Sequence, residues 1–109
     1  MAEVEFEPLG ASVLVHVELP QAKNQEDLEE LHRLAESAGG DIKDAVVCRR
    51  NAIDPRTYVG SGKVEEIADA VRAHDAKVVV FNSPLTPAQE RNLEKAIGVR
   101  VMDRIALIL

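Results

Sequence analysis

The sequence predicts an α/β domain: a four-stranded parallel sheet, βαβαβαβ along the chain and 2-1-3-4 in space, with helices on both faces. Three observations point there. Apolar, mostly β-branched runs recur at Ala11–Leu19, Ala45–Arg49, Lys77–Phe81 and Val99–Met102. Segments with helical spacing lie between them, and strands joined through helices pair in parallel by right-handed crossovers. The chain has 109 residues, enough for one core and too few for two. The strand order is that of a common doubly wound sheet.

Each element has its own justification. Ala11–Leu19 sets Val13, Val15, Val17 and Leu19 on one face and Leu14 on the other, the near-continuous apolarity of a strand covered on both sides. A helix follows, with Asn24 as N-cap and Glu26, Asp27, Glu29 and Glu30 at its positive dipole end. Leu28, Leu31, Leu34, Ala35 and Ala38 form its apolar stripe, and Gly39 and Gly40 stop it. The second strand, Ala45–Arg49, runs into a long loop, Arg50–Gly60. Ser61 is expected to cap the next helix, whose apolar residues Val64, Ile67, Ala68 and Val71 have i, i+3, i+4, i+7 spacing. Lys77–Phe81 is the third strand. Thr86, Pro87 and Gln89 make a complete helix start: hydroxyl cap, proline in the first turn and capping-box amide. Leu93, Ala96 and Ile97 are that helix's apolar side, Gly98 ends it, and Val99–Met102 is the fourth strand.

Residues 1–10 read as an N-terminal extension, either an added edge strand through Val4 and Phe6 or a frayed tail. Residues 11–104 are the α/β domain. The apolar run Ile105–Leu109 reads as the start of a connection to further domains, because chain ends are normally polar unless docked.

Composition narrows the function classes. Apolar residues make up 46% and charged residues 29%, a balance that folds. The one cysteine, Cys48, cannot form an internal disulfide and fits a reducing compartment. No basic, apolar leader opens the chain, and no apolar run approaches the ~20 residues that span a bilayer. The expectation is a soluble, cytoplasmic protein with no membrane partner. His16, His32, His74 and Cys48 lack metal-ligand spacing, so no metal is expected.

A net charge of −6 argues against nucleic-acid binding until it is resolved along the chain. Residues Asn24–Ala38 carry five acids against one arginine, a local −4. From Arg49 to Lys63, Arg49, Arg50, Arg56 and Lys63 face only Asp54, a local +3. That basic stretch follows the second strand, at the sheet edge where α/β proteins bind ligands, and exceeds the roughly 2 to 6 residues usual for such loops.

The loop ends in Thr57-Tyr58-Val59-Gly60-Ser61-Gly62-Lys63 and opens a helix. Glycines can turn backbone N–H groups toward a phosphate, the helix N-terminus adds partial positive charge, and Lys63 a full one. The candidate contacts for a nucleotide or RNA phosphate are Arg56, Tyr58, Gly60, Ser61, Gly62 and Lys63. The alternative reading is that Gly60 to Gly62 simply permit tight loop-to-helix packing, and Tyr58 is either a stacking platform for a base or a loop anchor. This is no Walker A loop: Thr57 stands where glycine is required and Val64 where the magnesium-binding hydroxyl belongs. Asn82 and Ser83 are secondary candidates, lining the crevice at the strand-order switch. Glu65 and Glu66 read as a solvated first helical turn, Asp103 and Arg104 as a structural ion pair. No catalytic residue is expected.

Thr57–Ile67 (TYVGSGKVEEI), Leu85–Glu94 (LTPAQERNLE), Val101–Arg104 (VMDR) and Leu107–Leu109 (LIL) resemble the N-terminal domain of the HflX GTPases. The resemblance runs in order from the first strand to the last residue. It implies a domain that precedes a long helical hairpin and a GTPase domain, in a protein that binds the large ribosomal subunit and dissociates stalled ribosomes. It further implies contact with ribosomal RNA, restraint of the GTPase domain, and in some members an adenine-nucleotide-dependent activity, so ATP is a possible ligand. GTP and magnesium would belong to the GTPase domain. Its GxxxxGK[ST], DxxG and NKxD motifs are missing from these residues, so this chain is not expected to hydrolyse GTP. Ile105-Ala106 departs from the family's usual Thr-Gly.

Overall fold

The computed structural model describes residues 8–20 and 27–108. It contains β1 (Gly10–Glu18), α1 (Asp27–Ser37), β2 (Gly40–Arg49), α2 (Ser61–His74), β3 (Val78–Phe81), α3 (Pro87–Ile97), β4 (Arg100–Asp103) and α4 (Arg104–Ile108). All strand pairs are parallel and the order is β2-β1-β3-β4, as expected. The expected edge strand through Val4 and Phe6 and the Asn24 cap lie outside the described residues.

Alternation along β1 divides the core. Val13, Val15 and Val17 face α2 and α3, where they join Ile67, Val71, Phe81 and Leu93. Leu14 faces the other way, against Leu31, Ala35, Val80 and Met102. Both faces of β1 and β3 are thus dry, which is why their sequences are apolar throughout.

Most boundaries fall within a residue or two of expectation, and two starts differ in kind. β2 begins at Gly40, five residues early. Asp41, Lys43 and Asp44 looked like loop, but an edge strand tolerates charge, and the register shifts opposite Ser12/Val13 so that Lys43 is passed over. Ser61 is the first residue of α2, and its N-cap is Gly60 at φ 81°, with no side-chain cap bond. Residues 104–108, which take in most of the apolar run, form a short helix. The α3 start is as read: Thr86 Oγ1 accepts from Gln89 N–H at 3.1 Å, and Gln89 Oε1 accepts from Thr86 N–H at 2.9 Å.

Candidate functional site

The Arg50–Gly60 loop is short of apolar residues and is built from turns and side-chain bonds. Asp54-Pro55-Arg56-Thr57 is an aspartate turn: Asp54 Oδ1 accepts from the Arg56 N–H at 2.8 Å and the Thr57 N–H at 3.2 Å. Those two donors hold the Asp54 carboxyl below its usual range. The turn is closed by backbone bonds in both directions between Asp54 and Tyr58, at 3.0 and 2.8 Å. Arg50 fastens the loop from inside, donating from Nη1 to the Val59 carbonyl at 2.6 Å and from Nε to the Ala52 carbonyl at 2.9 Å. Helix α3 holds its outer side, with Asn92 Nδ2 donating to the Arg56 carbonyl at 3.0 Å.

The six loop candidates separate on this scaffold. Tyr58, at φ 70°, is buried with its ring edge-on to Phe81 at 6.4 Å. The ring is packed into the larger core cluster, the placement expected of a loop anchor. Gly60 needs its positive φ, and a Cβ there would lie 2.7 Å from Arg50 Nη1. At Gly62 a Cβ would meet nothing within 4 Å, leaving open space before the helix end. Lys63 turns away from that end: its ammonium lies 3.0 Å from Glu66 Oε1 and 3.3 Å from the Val47 carbonyl at the edge of β2.

Arg56 and Ser61 remain exposed. No side chain among the described residues hydrogen-bonds or ion-pairs the Arg56 guanidinium. The first amides of a helix have no intrahelical acceptor, and Gly60 has no side chain to cap them. A groove of about 750 Å³ joins these features, lined by Arg56, Thr57, Ser61 and Arg72, by the acids Asp54, Glu65 and Asp69, and by Val64, Ala68 and Ala96.

The secondary candidates are used internally. Asn82 pairs with the Val17 backbone at 2.8 and 3.1 Å, and Ser83 Oγ lies 3.4 Å from Asn82 Oδ1. Asp103 is buried and accepts from the Leu85 N–H at 2.9 Å and the Ala106 N–H at 3.3 Å, while Arg104 pairs with Glu30. Burial raises the pKa of the Cys48 thiol, against the lowering charges of Lys63 and Arg50. Among the described residues no group of His, Cys, Asp and Glu is arranged to hold a metal, and no helix is long and apolar enough to cross a membrane.

Two contributors were not singled out from sequence. Arg50 was counted only as loop charge. Gln89 is marked in the sequence only as a cap, yet its Nε2 also reaches the Asp54 carbonyl at 3.3 Å. The Asp-Pro-Arg-Thr turn was the available signal.

Comparison with known proteins decides the kinship. A family model described as "GTP-binding GTPase N-terminal" matches residues 25–109. The chain belongs to this family. Among curated relatives, the GTPase HflX of Escherichia coli (strain K12) is 48% identical over 98 residues, 90% of this chain and 23% of that protein. The GTPase HflX of Methanocaldococcus jannaschii is 37% identical over 86 residues, 79% of this chain and 21% of the relative. The chain thus spans about a quarter or less of these HflX proteins' length. A crystal structure titled as a complex of SsGBP and GDP superposes with a TM-score of 0.66 at 18% identity, covering 91% of this chain and 27% of that one; this likeness shows the fold. The GTPase N-terminal domain described here is of the HflX type, and its fold is the four-stranded parallel sheet expected.

Proposed function

We propose that the domain is the regulatory, RNA-contacting module of an HflX-type GTPase that associates with the large ribosomal subunit in the cytoplasm and dissociates stalled ribosomes. One observation carries the RNA contact: an exposed arginine, Arg56, whose guanidinium has no hydrogen bond or ion pair among the described residues, held by the Asp54 turn beside the N-terminus of α2, which has no side-chain cap. Both features attract phosphate. Lys63 contributes at most at the margin, because Glu66 already neutralises it. GTP and magnesium are assigned to the GTPase domain of the whole protein. An adenine nucleotide at Gly60–Lys63 is the weaker reading, since Tyr58 is buried and Lys63 engaged.

The test is binding of the full-length GTPase to purified large ribosomal subunits across a salt series. Arg56→Ala should weaken binding and reduce the salt slope by about 1, as loss of one phosphate contact does. Unchanged affinity and slope would remove Arg56 from the interface.

A second reading concerns the domain's own protein. Ile105 and Ile108 are 49% and 63% exposed on α4, an apolar pair suited to packing on the helical hairpin or GTPase domain. Equal GTP turnover of the whole protein with and without residues 1–109 would remove that regulatory role.

A further inference from the structure

The segment Pro84-Leu85-Thr86-Pro87 joins β3 to α3 and has only two amide hydrogens, because proline carries none. Both go to buried side chains. The Leu85 N–H donates to Asp103 Oδ2 at 2.9 Å and the Thr86 N–H to Gln89 Oε1 at 2.9 Å. The buried polar or charged residues among those described are Ser12, His16, Gln89 and Asp103. Half of them therefore converge on one dipeptide.

Each of the two also reaches a distant element. Asp103 Oδ1 accepts the Ala106 N–H at 3.3 Å, as an N-cap of α4 does. Gln89 Nε2 donates to the Asp54 carbonyl at 3.3 Å and lies 3.5 Å from that of Pro55. Polar contacts thus run from α4 through Asp103, Leu85-Thr86 and Gln89 to the turn that presents Arg56. The middle of the run is stiff: the rings fix φ at Pro84 and Pro87, and Ser83 and Thr86 are restrained by the prolines that follow them. Neither buried side chain can swing away without giving up hydrogen bonds to two separate segments at once.

We propose that Asp103 and Gln89 are positioning residues coupling α4 to the Asp54–Tyr58 turn, so that whatever holds α4 regulates how Arg56 is presented. The regulatory meaning rests on the reading of Arg56 as an RNA contact; the coupling is a property of the fold alone.

Amide hydrogen exchange of the 109-residue chain, read by NMR, tests the coupling without RNA. The reporters are the Asp54 and Tyr58 amides, which bond across the turn, and the control is Ile67, buried in α2. Gln89→Met cuts the run next to the turn. Ala106→Pro removes the hydrogen donated to Asp103 and, by restraining Ile105 before it, loosens the start of α4. Gln89→Met should speed reporter exchange by about tenfold and Ala106→Pro by about threefold, with Ile67 unchanged, as local opening requires. The double variant should match Gln89→Met alone, since coupled sites are not additive.

Asp103→Asn, which replaces one acceptor oxygen by a donor, provides a second α4-side variant should Ala106→Pro unfold the chain. Reporter exchange unchanged in the α4-side variants overturns the proposal, and so does an additive double variant. Equal acceleration at Ile67 and the reporters in those variants also overturns it, because the contacts would then carry only global stability. Failure here leaves the Arg56 reading standing, and failure of ribosome binding to respond to Arg56→Ala leaves the coupling standing.

Discussion

Asn82 pairs with Val17 through both ends of its side-chain amide: Oδ1 accepts the Val17 N–H at 2.8 Å and Nδ2 donates to the Val17 carbonyl at 3.1 Å. β3 ends at Phe81; the Asn82 N–H still donates to the Val15 carbonyl at 3.1 Å, and its side chain carries the contact with β1 two residues further. The position is the switch point between β1 and β3, where doubly wound proteins open a ligand crevice. Here the protein's own amide occupies it. Asn82→Asp sets an acceptor against the Val17 carbonyl and should cost about 1–3 kcal/mol. Thermal unfolding should show it as a fall of roughly 4–8 °C per kcal/mol for a domain of this size. An unchanged midpoint would show that the pairing adds nothing.

Tyr58 separates anchor from platform. Its ring meets Phe81 edge-on at 6.4 Å inside the larger core cluster, so Tyr58→Ala removes a buried ring and should cost about 3–5 kcal/mol in urea unfolding. A base-stacking tyrosine would behave differently, losing RNA affinity with stability intact. Stability within about 0.5 kcal/mol of the parent would contradict the anchor role.

Lys63 and Arg56 have the same formal charge and different surroundings. With its ammonium already between Glu66 and the Val47 carbonyl, Lys63 has few counterions to release on binding a phosphate. Lys63→Ala in the full-length protein should therefore leave the salt slope of ribosome binding nearly unchanged, against a loss of about 1 for Arg56→Ala. Equal slopes in the two variants would mean that Lys63 abandons Glu66 for the RNA.

These contrasts show where reading the sequence succeeds. The succession of elements, the two-faced core and the α3 cap follow from local signals: periodicity, a Thr-Pro-x-Gln start, glycine stops; the strand order follows by analogy with doubly wound sheets. β2 was placed five residues late because its edge position, which lets Asp41 and Lys43 face solvent, is a tertiary fact. The site was legible as a location and a charge. It was not legible as geometry, because Lys63 is claimed by the carboxylate of Glu66 three residues on and by a β2 carbonyl sixteen residues back. Tyr58 turns inward only because Phe81, distant in sequence, waits beneath it. Arg50 and Gln89 act through backbone carbonyls, which any sequence supplies and no motif marks.

Acid stability should depend on two carboxylates of opposite sign. Partial burial raises the Glu90 carboxyl, helped by the nearby charges of Asp103 and Glu94 and opposed by Arg100. A raised native pKa means that the ionised form is penalised in the fold. At neutral pH both native and unfolded Glu90 are ionised and the native state carries that penalty; as pH falls through the raised value, the native state takes up its proton first and the penalty lifts. Glu90→Gln should thus stabilise the domain at pH 7, by under about 1 kcal/mol for so modestly buried a group, and the advantage should fade on acidification. Asp54 works the other way: its lowered native pKa contributes stability above the ordinary aspartate value of about 3.9, lost as pH falls through the lower native one. Asp54→Asn should therefore track the parent's pH dependence down to about pH 4 and flatten it below that. Urea unfolding of the parent and both variants at pH 7, 4 and 3 checks the signs. A Glu90→Gln advantage that grows on acidification would show that the native fold favours the Glu90 carboxylate.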